Sequence, residues 1–139
     1  MRRAIALATT LSVLAGSVLA GSAAAETWTK FHTMENGADI SYDSDYTYKD
    51  RQTGRLVIMQ ALSKGTLGPS APGKADSVGS VIALDCAKKN IISLANYRPN
   101  QALDVKDTWR SDTPKKAEGA DNAALIASVC PHAEHAPVK

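Results

Sequence analysis

Cys86 and Cys130 are the only cysteines of this 139-residue chain, and their thiols carry the most informative chemistry in the sequence. In an oxidising compartment an even number of cysteines is typical of disulfide pairing. The alternatives are two free thiols or a redox centre, but redox pairs are usually close together, as in Cys-x-x-Cys. A bridge here would close a loop of about 44 residues, which the chain-entropy model values at about 4 kcal/mol. The sequence therefore predicts a structural disulfide between Cys86 and Cys130.

Two segments imitate ligand-binding motifs but lack groups that the chemistry needs. The run from Gly68 to Lys74 matches part of a phosphate-binding loop, yet Pro69 and Pro72 have no backbone N–H to offer a phosphate. The run from Asp43 begins like a calcium loop, but the glycine and the bidentate glutamate of such a loop are missing from its sixth and twelfth positions. We therefore expect an ordinary loop and a solvated acidic turn, with no cofactor and no metal.

Histidines are the remaining candidates for metal binding or catalysis. His132 and His135 follow Pro131 in a polar C-terminal end that we expect to be disordered. His32 stands alone in a strand-like segment, and a hydrolase would need a cleft that gathers it with carboxylates. The sequence shows no nucleophile motif, no paired carboxylates at a convincing spacing and no cofactor fingerprint. The prediction is a protein that is not an enzyme.

Tyrosines among aspartates form the candidate recognition surface. Tyr42, Tyr46 and Tyr48 lie within seven residues of one another, with three aspartates beside them. Exposed tyrosines give contact area at a low cost in conformational entropy. The alternative is that Tyr42 belongs to the core and that the other two are ordinary edge residues. We take Tyr46 and Tyr48 as candidate protein-binding residues.

The first 25 residues have the layout of a secretory signal peptide. A basic start at Met1–Arg3 precedes an apolar run from Ala4 to Ala20, and small residues lie ahead of Glu26. Removing these 25 residues from the 139 takes away two of the 16 basic residues and none of the 14 acidic ones, so the remaining 114 carry no net charge. A neutral mature chain gives no reason to expect a nucleic-acid partner.

The same N-terminal run is long enough to be considered as a membrane anchor. Its Gly, Ser and Thr content and the cleavage signal favour removal instead. Ser22 stands where a lipoprotein box needs a cysteine to be acylated. We therefore expect an exported protein, in the periplasm, secreted or at the cell surface, with no lipid anchor and no membrane span.

Most of the mature chain alternates apolar and polar residues with a period of two, which is typical of half-buried strands. The run 56–62 is apolar on both faces, so it is predicted to be a central strand covered on each side. Residues 43–54 are predicted to form a polar connection or an irregular edge, and residues 64–74 a long loop rich in Gly and Pro. The other predicted strands cover 27–32, 38–43, 78–86 and 91–97, with a shorter one within 103–109.

The last element changes to the period of a helix. Asp121 is the predicted N-cap, an apolar stripe runs from Asn122 to Cys130, and Pro131 ends the helix. Strands followed by one helix predict an α+β fold, a single antiparallel sheet with the C-terminal helix packed on it. The disulfide would join that helix to the strand 78–86. The predicted domain covers 26–131, and 132–139 is a predicted disordered tail.

The features that recur in order along the chain are Trp28, Ile40–Asp43, Leu56–Leu62, Asp85–Lys89, Trp109, Pro114 and Ser128–Cys130. Their order and spacing resemble the surface-adhesin protein E family of Gram-negative bacteria. The resemblance implies a sheet of about six strands joined by the disulfide to a C-terminal helix. It also implies a non-enzymatic surface protein that binds host matrix or serum proteins such as vitronectin and laminin. Two departures are that the namesake is a lipoprotein and that its ligand-binding segments have no motif to place here.

The leading hypothesis is an exported protein-binding module of the adhesin-E-like type. The alternative is a soluble periplasmic inhibitor or accessory protein on the same scaffold, which the missing anchor cysteine favours. Exposed sheet edges would also allow a homodimer.

Overall fold

A computed structural model describes residues 27–63, 78–98 and 101–139. These residues form one antiparallel sheet of seven strands and a single C-terminal α-helix, α1 (Ala120–Val129). The architecture confirms the predicted α+β class; the predicted signal peptide and the 64–74 loop lie outside the described residues. The strands are β1 (Trp28–Thr33), β2 (Asp39–Asp43), β3 (Tyr48–Lys49), β4 (Leu56–Ser63), β5 (Val78–Asp85), β6 (Asn90–Tyr97) and β7 (Lys115–Lys116).

The strand β4 is central, as its two-sided apolar pattern predicted. The sheet order is β1-β2-β4-β5-β6-β7. β3 and β2 pair with the same edge of β4, β3 with its first residues and β2 with its last. Alternate β4 side chains enter two different cores, with Val57 in one and Ile58 in the other. One core is closed by Trp109, and the other by Leu125 and Val129 of α1.

The disulfide between Cys86 and Cys130 is present, with the two Cα atoms 5.9 Å apart. Cys86 directly follows β5, and Cys130 directly follows α1. The bond therefore fastens the C-terminal end of the helix to the end of a central strand, as the sequence predicted. Both cysteines also pack against the core that lies between the helix and the sheet.

Two local predictions are wrong. The helix has its N-cap at Gly119, which has a φ of 94°, and Asp121 lies inside the first turn without a side-chain capping bond. A carboxylate in that turn still interacts favourably with the positive end of the helix dipole. The segment 103–109 is irregular and leads into a 3₁₀ turn, Trp109–Ser111, in which Trp109 is buried in the core that contains Val57.

The C-terminal tail, predicted to be disordered, is ordered. A 3₁₀ helix spans Cys130–His135, and the last residues then run beside β3. The Lys49 N–H donates to the Pro137 carbonyl at 2.8 Å, and the Lys139 N–H donates to the Lys49 carbonyl at 3.0 Å. Polarity of the tail suggested disorder, but its backbone groups satisfy the outer edge of β3.

The edge strand β1 carries features that discourage further strand pairing. Its register with β2 shifts between Lys30 and His32, which leaves Phe31 as a bulge. Bulges and edge lysines both hinder edge-to-edge association. Among the described residues, no helix is long and apolar enough to span a membrane.

Candidate protein-binding site

A tight turn after β2 positions the first candidate tyrosine. Asp43 is 4% exposed, and its Oδ1 accepts backbone N–H bonds from Asp45 at 3.0 Å, from Tyr46 at 3.3 Å and from Thr27 at 3.2 Å. Its carbonyl oxygen accepts the Thr47 hydroxyl at 2.9 Å. The expected solvated acidic turn is therefore organised by a buried carboxylate, in the manner of an Asx turn.

Tyr46 and Tyr48 lie together on one side of the sheet. Their ring centroids are 6.0 Å apart with an interplanar angle of 57°. Both side chains are half-buried and pack against the core that contains Trp109. Tyr42 lies on the opposite side, in the helix-side core, where its ring is 6.2 Å from that of Phe31. The structure thus joins two of the three tyrosines and separates the third.

A buried ion pair, which sequence reasoning missed, supports this tyrosine pair. The Asp50 side chain is 1% exposed, and Arg110 donates to its two oxygens at 2.6 Å and 3.1 Å. Asp50 also accepts the Thr53 backbone N–H at 3.0 Å and its hydroxyl at 2.7 Å. The two partners are 60 residues apart, so no local pattern could have indicated the pair. The only signal in the sequence was that Asp50 is one of the aspartates beside the tyrosines.

Cations lie against the aromatic rings of this corner. The Lys139 ammonium is 5.3 Å from the centroid of the Tyr48 ring, and the Arg110 guanidinium is 4.7 Å from that of Trp109. Such contacts are typical cation–π distances. The tyrosine corner, defined here as Tyr46, Tyr48, Asp50, Arg110 and Lys139, therefore combines two phenol rings with the Asp50–Arg110 ion pair and the exposed Lys139 ammonium.

The tyrosine hydroxyls of the corner remain protonated near neutral pH. Burial, followed by the nearby Tyr48 and Asp43, raises the pKa of Tyr46 to about 12. Burial and the Asp50 charge also raise the pKa of Tyr48 above its ordinary value. Neither phenol can accept a proton as a base under these conditions. Each can still donate a hydrogen bond or present a ring edge to a partner.

A small cavity of about 260 Å³ lies near the β2–β3 turn, on the side of the sheet that the helix covers. Tyr42, Ser44, His132 and His135 are among its lining residues. It is close to the low end of the volumes usual for small-molecule sites. Among the described residues, no group of three or more His, Cys, Asp or Glu side chains is arranged to hold a metal ion.

His32 lines an open groove of about 410 Å³ together with Glu35 and Asp121. A hydrolase would require a cleft that brings His32 close to carboxylates, and this groove has that composition. The structure shows no hydrogen bond from the His32 ring to either carboxylate, and the other lining residues, Met34, Asn36 and Ala120, supply no hydroxyl or thiol. The described residues of this groove therefore do not form a nucleophile–base pair.

The fold and the tyrosine corner define a disulfide-bonded α+β domain with two adjacent, half-buried tyrosine rings at its surface. No protein-family model matches the chain, and no curated protein or solved structure matches it significantly. The resemblance to surface-adhesin protein E stays a prediction.

The buried ion pair should make stability depend on acid pH. Hydrogen bonding from Arg110 lowers the pKa of Asp50 from 3.8 to about 2, although burial opposes the shift. Because the folded state favours the charged form, the stabilisation is complete above about pH 4 and is lost as the pH falls toward 2. Asp50→Asn should cost about 1–3 kcal/mol at pH 7, since Arg110 is partly screened by solvent. Urea unfolding at pH 7, 4 and 2 measures both effects.

A matched control is Asp112→Asn, which breaks the exposed pair with Lys106. Its cost should stay below about 1 kcal/mol. Equal losses for the two variants, or an Asp50→Asn protein as acid-sensitive as the parent between pH 4 and 2, would contradict the assignment.

Proposed function

We propose that this chain is an exported, non-enzymatic protein-binding module whose contact surface includes Tyr46 and Tyr48. The observation that carries the proposal is the pairing of two half-buried tyrosine rings, 6.0 Å apart, beside the Lys139 ammonium. Tyrosine is enriched at protein interfaces because one ring offers both apolar area and a hydroxyl. Positive charge beside the rings favours a partner surface that is acidic.

Rigidity of the supporting residues strengthens this interpretation. Tyr48 is held by strand pairing with Val57, and the neighbouring Asp50 is locked by Arg110 and Thr53. A preorganised surface loses little conformational entropy when a partner binds. The corner therefore has the physical properties of an interface centre rather than those of a mobile loop.

The sequence features and the disulfide support export, and the resemblance suggests the class of partner. The disulfide is of a kind that persists in oxidising compartments. The signal-peptide pattern supports secretion into such a compartment. The resemblance to surface-adhesin protein E suggests host matrix or serum proteins as partners, with vitronectin and laminin as the first probes.

The test is solid-phase binding of the mature domain to immobilised vitronectin and laminin. We expect saturable binding by the parent, and Tyr48→Ala should weaken it at least about tenfold, the loss typical of an interface hot spot. Tyr42→Ala is the matched control, because Tyr42 is also half-buried but lies on the opposite side of the sheet. That variant should lose comparable stability and keep its affinity.

Affinity capture from serum and from bacterial envelope extract distinguishes the two proposed roles. Capture from serum through Tyr48 supports the adhesin-like role. Capture only from envelope extract, together with periplasmic fractionation, supports the inhibitor or accessory role instead. No saturable binding in either extract, or equal losses for the two tyrosine variants, would refute a protein-binding role for this corner.

A further inference from the structure

Four lysines from two distant segments meet at one corner of the sheet. Lys88 and Lys89 form the tip of the β5–β6 turn, and Lys115 and Lys116 are the two residues of β7. β7 pairs with the first residues of β6, and the Ala117 N–H donates to the Lys89 carbonyl at 2.9 Å. Because neighbouring strands lie about 5 Å apart, the four lysine backbones fall within about 10 Å of one another. These four residues are named the lysine corner.

The lysine corner holds positive charge that the described structure does not neutralise. All four lysines are exposed. The ion pairs among the described residues involve other cations, namely Lys30, Lys106 and Arg110. Like charges held this close repel one another, and an arriving polyanion relieves that repulsion.

The charges that face the lysine corner leave it clearly positive. Arg55 adds a fifth cation, with its guanidinium donating to the Asn90 side-chain oxygen at 2.7 Å. Asp85 is the nearest acid in the turn, and its Oδ1 accepts the backbone N–H groups of Ala87 at 3.0 Å and Lys88 at 2.9 Å. Glu118 is exposed just beyond β7. Lys106 and Asp112, which pair with each other at 2.9 Å, line one pocket with Lys115. With them the count is six cations against three acids, whereas the mature chain has no net charge.

The backbone under these lysines is fixed. The Lys89 N–H donates to the Asp85 carbonyl at 2.8 Å, and Lys89 has a positive φ of 53°. The disulfide at Cys86 lies two residues before Lys88 and ties the start of the turn to the end of α1. Because these bonds hold the backbone, binding would order mainly the lysine side chains.

We propose that the lysine corner binds a sulfated polysaccharide. Lysine presents a compact, mobile point charge, whereas bidentate recognition of carboxylate or phosphate favours arginine. The one arginine nearby, Arg55, is engaged with Asn90. Exposed lysines spread over the corner match the separated sulfate groups of an extended polymer, and clustered basic residues are typical of heparin-type patches.

Single-stranded nucleic acid fits this surface less well. Proteins that bind such strands combine positive charge with aromatic platforms on which the bases stack. The segments 85–91 and 113–118, which build the corner, contain no aromatic residue. The tyrosine corner is formed by other segments, so this second surface does not depend on the protein-binding role proposed above.

The experiment uses a fluorescently labelled heparin fragment as the probe and the mature domain at about 0.15 M salt. In the test variant, Lys88, Lys89, Lys115 and Lys116 are all changed to Gln. We expect it to bind at least about tenfold more weakly, and the slope of log affinity against log salt should fall by roughly 2 to 4 through loss of counterion release. The control removes the same charge elsewhere, by changing Lys30, Lys49, Arg51 and Arg98 to Gln, and should weaken binding less than threefold.

Each outcome decides the proposal. Selective loss in the test variant, with an unchanged melting temperature, supports it. Equal losses in test and control variants would show a net-charge effect and overturn it, as would undetectable binding by the parent. Binding of single-stranded DNA of equal charge as tightly as heparin would overturn the assignment to a sulfated polysaccharide.

Discussion

Replacing both cysteines, as Cys86→Ser with Cys130→Ser, should lower the free energy of unfolding by about 4 kcal/mol. The bond closes a span of 44 residues, and its removal lets the unfolded chain explore many more conformations. Small domains are stable by only about 5–15 kcal/mol, so this loss would take a large share of the total. Urea unfolding of the mature domain gives the value directly.

The loss should also concentrate at the helix. Only Leu125 and Val129 of α1 are fully buried against the sheet, so the helix has few other contacts to hold it. Amide exchange should therefore rise first in α1, while β4 and β5 stay protected. The parent treated with reductant is the matched control and should lose as much stability as the serine variant. An unchanged unfolding midpoint, with both thiols confirmed free, would contradict the loop-closure argument.

Trp109→Ala should lower the free energy of unfolding by about 3–5 kcal/mol, which is the second large expected effect. The Trp109 side chain is 2% exposed and closes the core on the face opposite the helix. Its loss leaves a cavity against Val57 and frees the 3₁₀ turn that carries Arg110. We therefore expect the Asp50–Arg110 pair to loosen and the tyrosine corner to lose its support. Denaturant unfolding measures the first effect, and binding through Tyr48 measures the second.

Trp28→Ala is the matched control for this prediction. Trp28 packs against the same core and lies 5.5 Å from the Tyr97 ring, but it is only half-buried. Its removal should cost clearly less, because less apolar surface is exposed and the site can refill with water. If Trp28→Ala lowered the free energy of unfolding as much as Trp109→Ala does, the claim that Trp109 closes this core would be wrong.

The sheet was predictable where the residue pattern is local. The two-sided apolar run of β4 and the alternation of β5 and β6 identify strands without reference to any partner. Trp109 was harder, because a lone aromatic in a polar segment does not reveal which surface it will cover. The tail was misread for a related reason: its order comes from backbone bonds to Lys49, which its own composition does not encode.

In the candidate sites, too, only the residues that are close in sequence could be predicted. Tyr46 and Tyr48 could be chosen from the sequence because tyrosines concentrated among aspartates are typical of recognition surfaces. The Asp50–Arg110 pair and the lysine corner could not, because each joins segments separated by tens of residues. Lys115 and Lys116 lie beside Lys88 and Lys89 only because β7 pairs with β6.

By itself the sequence determined the α+β class, the central strand, the terminal helix and the Cys86–Cys130 bond. These follow from short-range periodicity and from the chemistry of two thiols, which need no knowledge of the final packing. Tertiary structure alone decided which charges lie together, since the pairing of β3, β6 and β7 with their neighbours sets those positions. Strand pairing is long-range, and the free energy that selects it is shared among many contacts rather than written in any one segment.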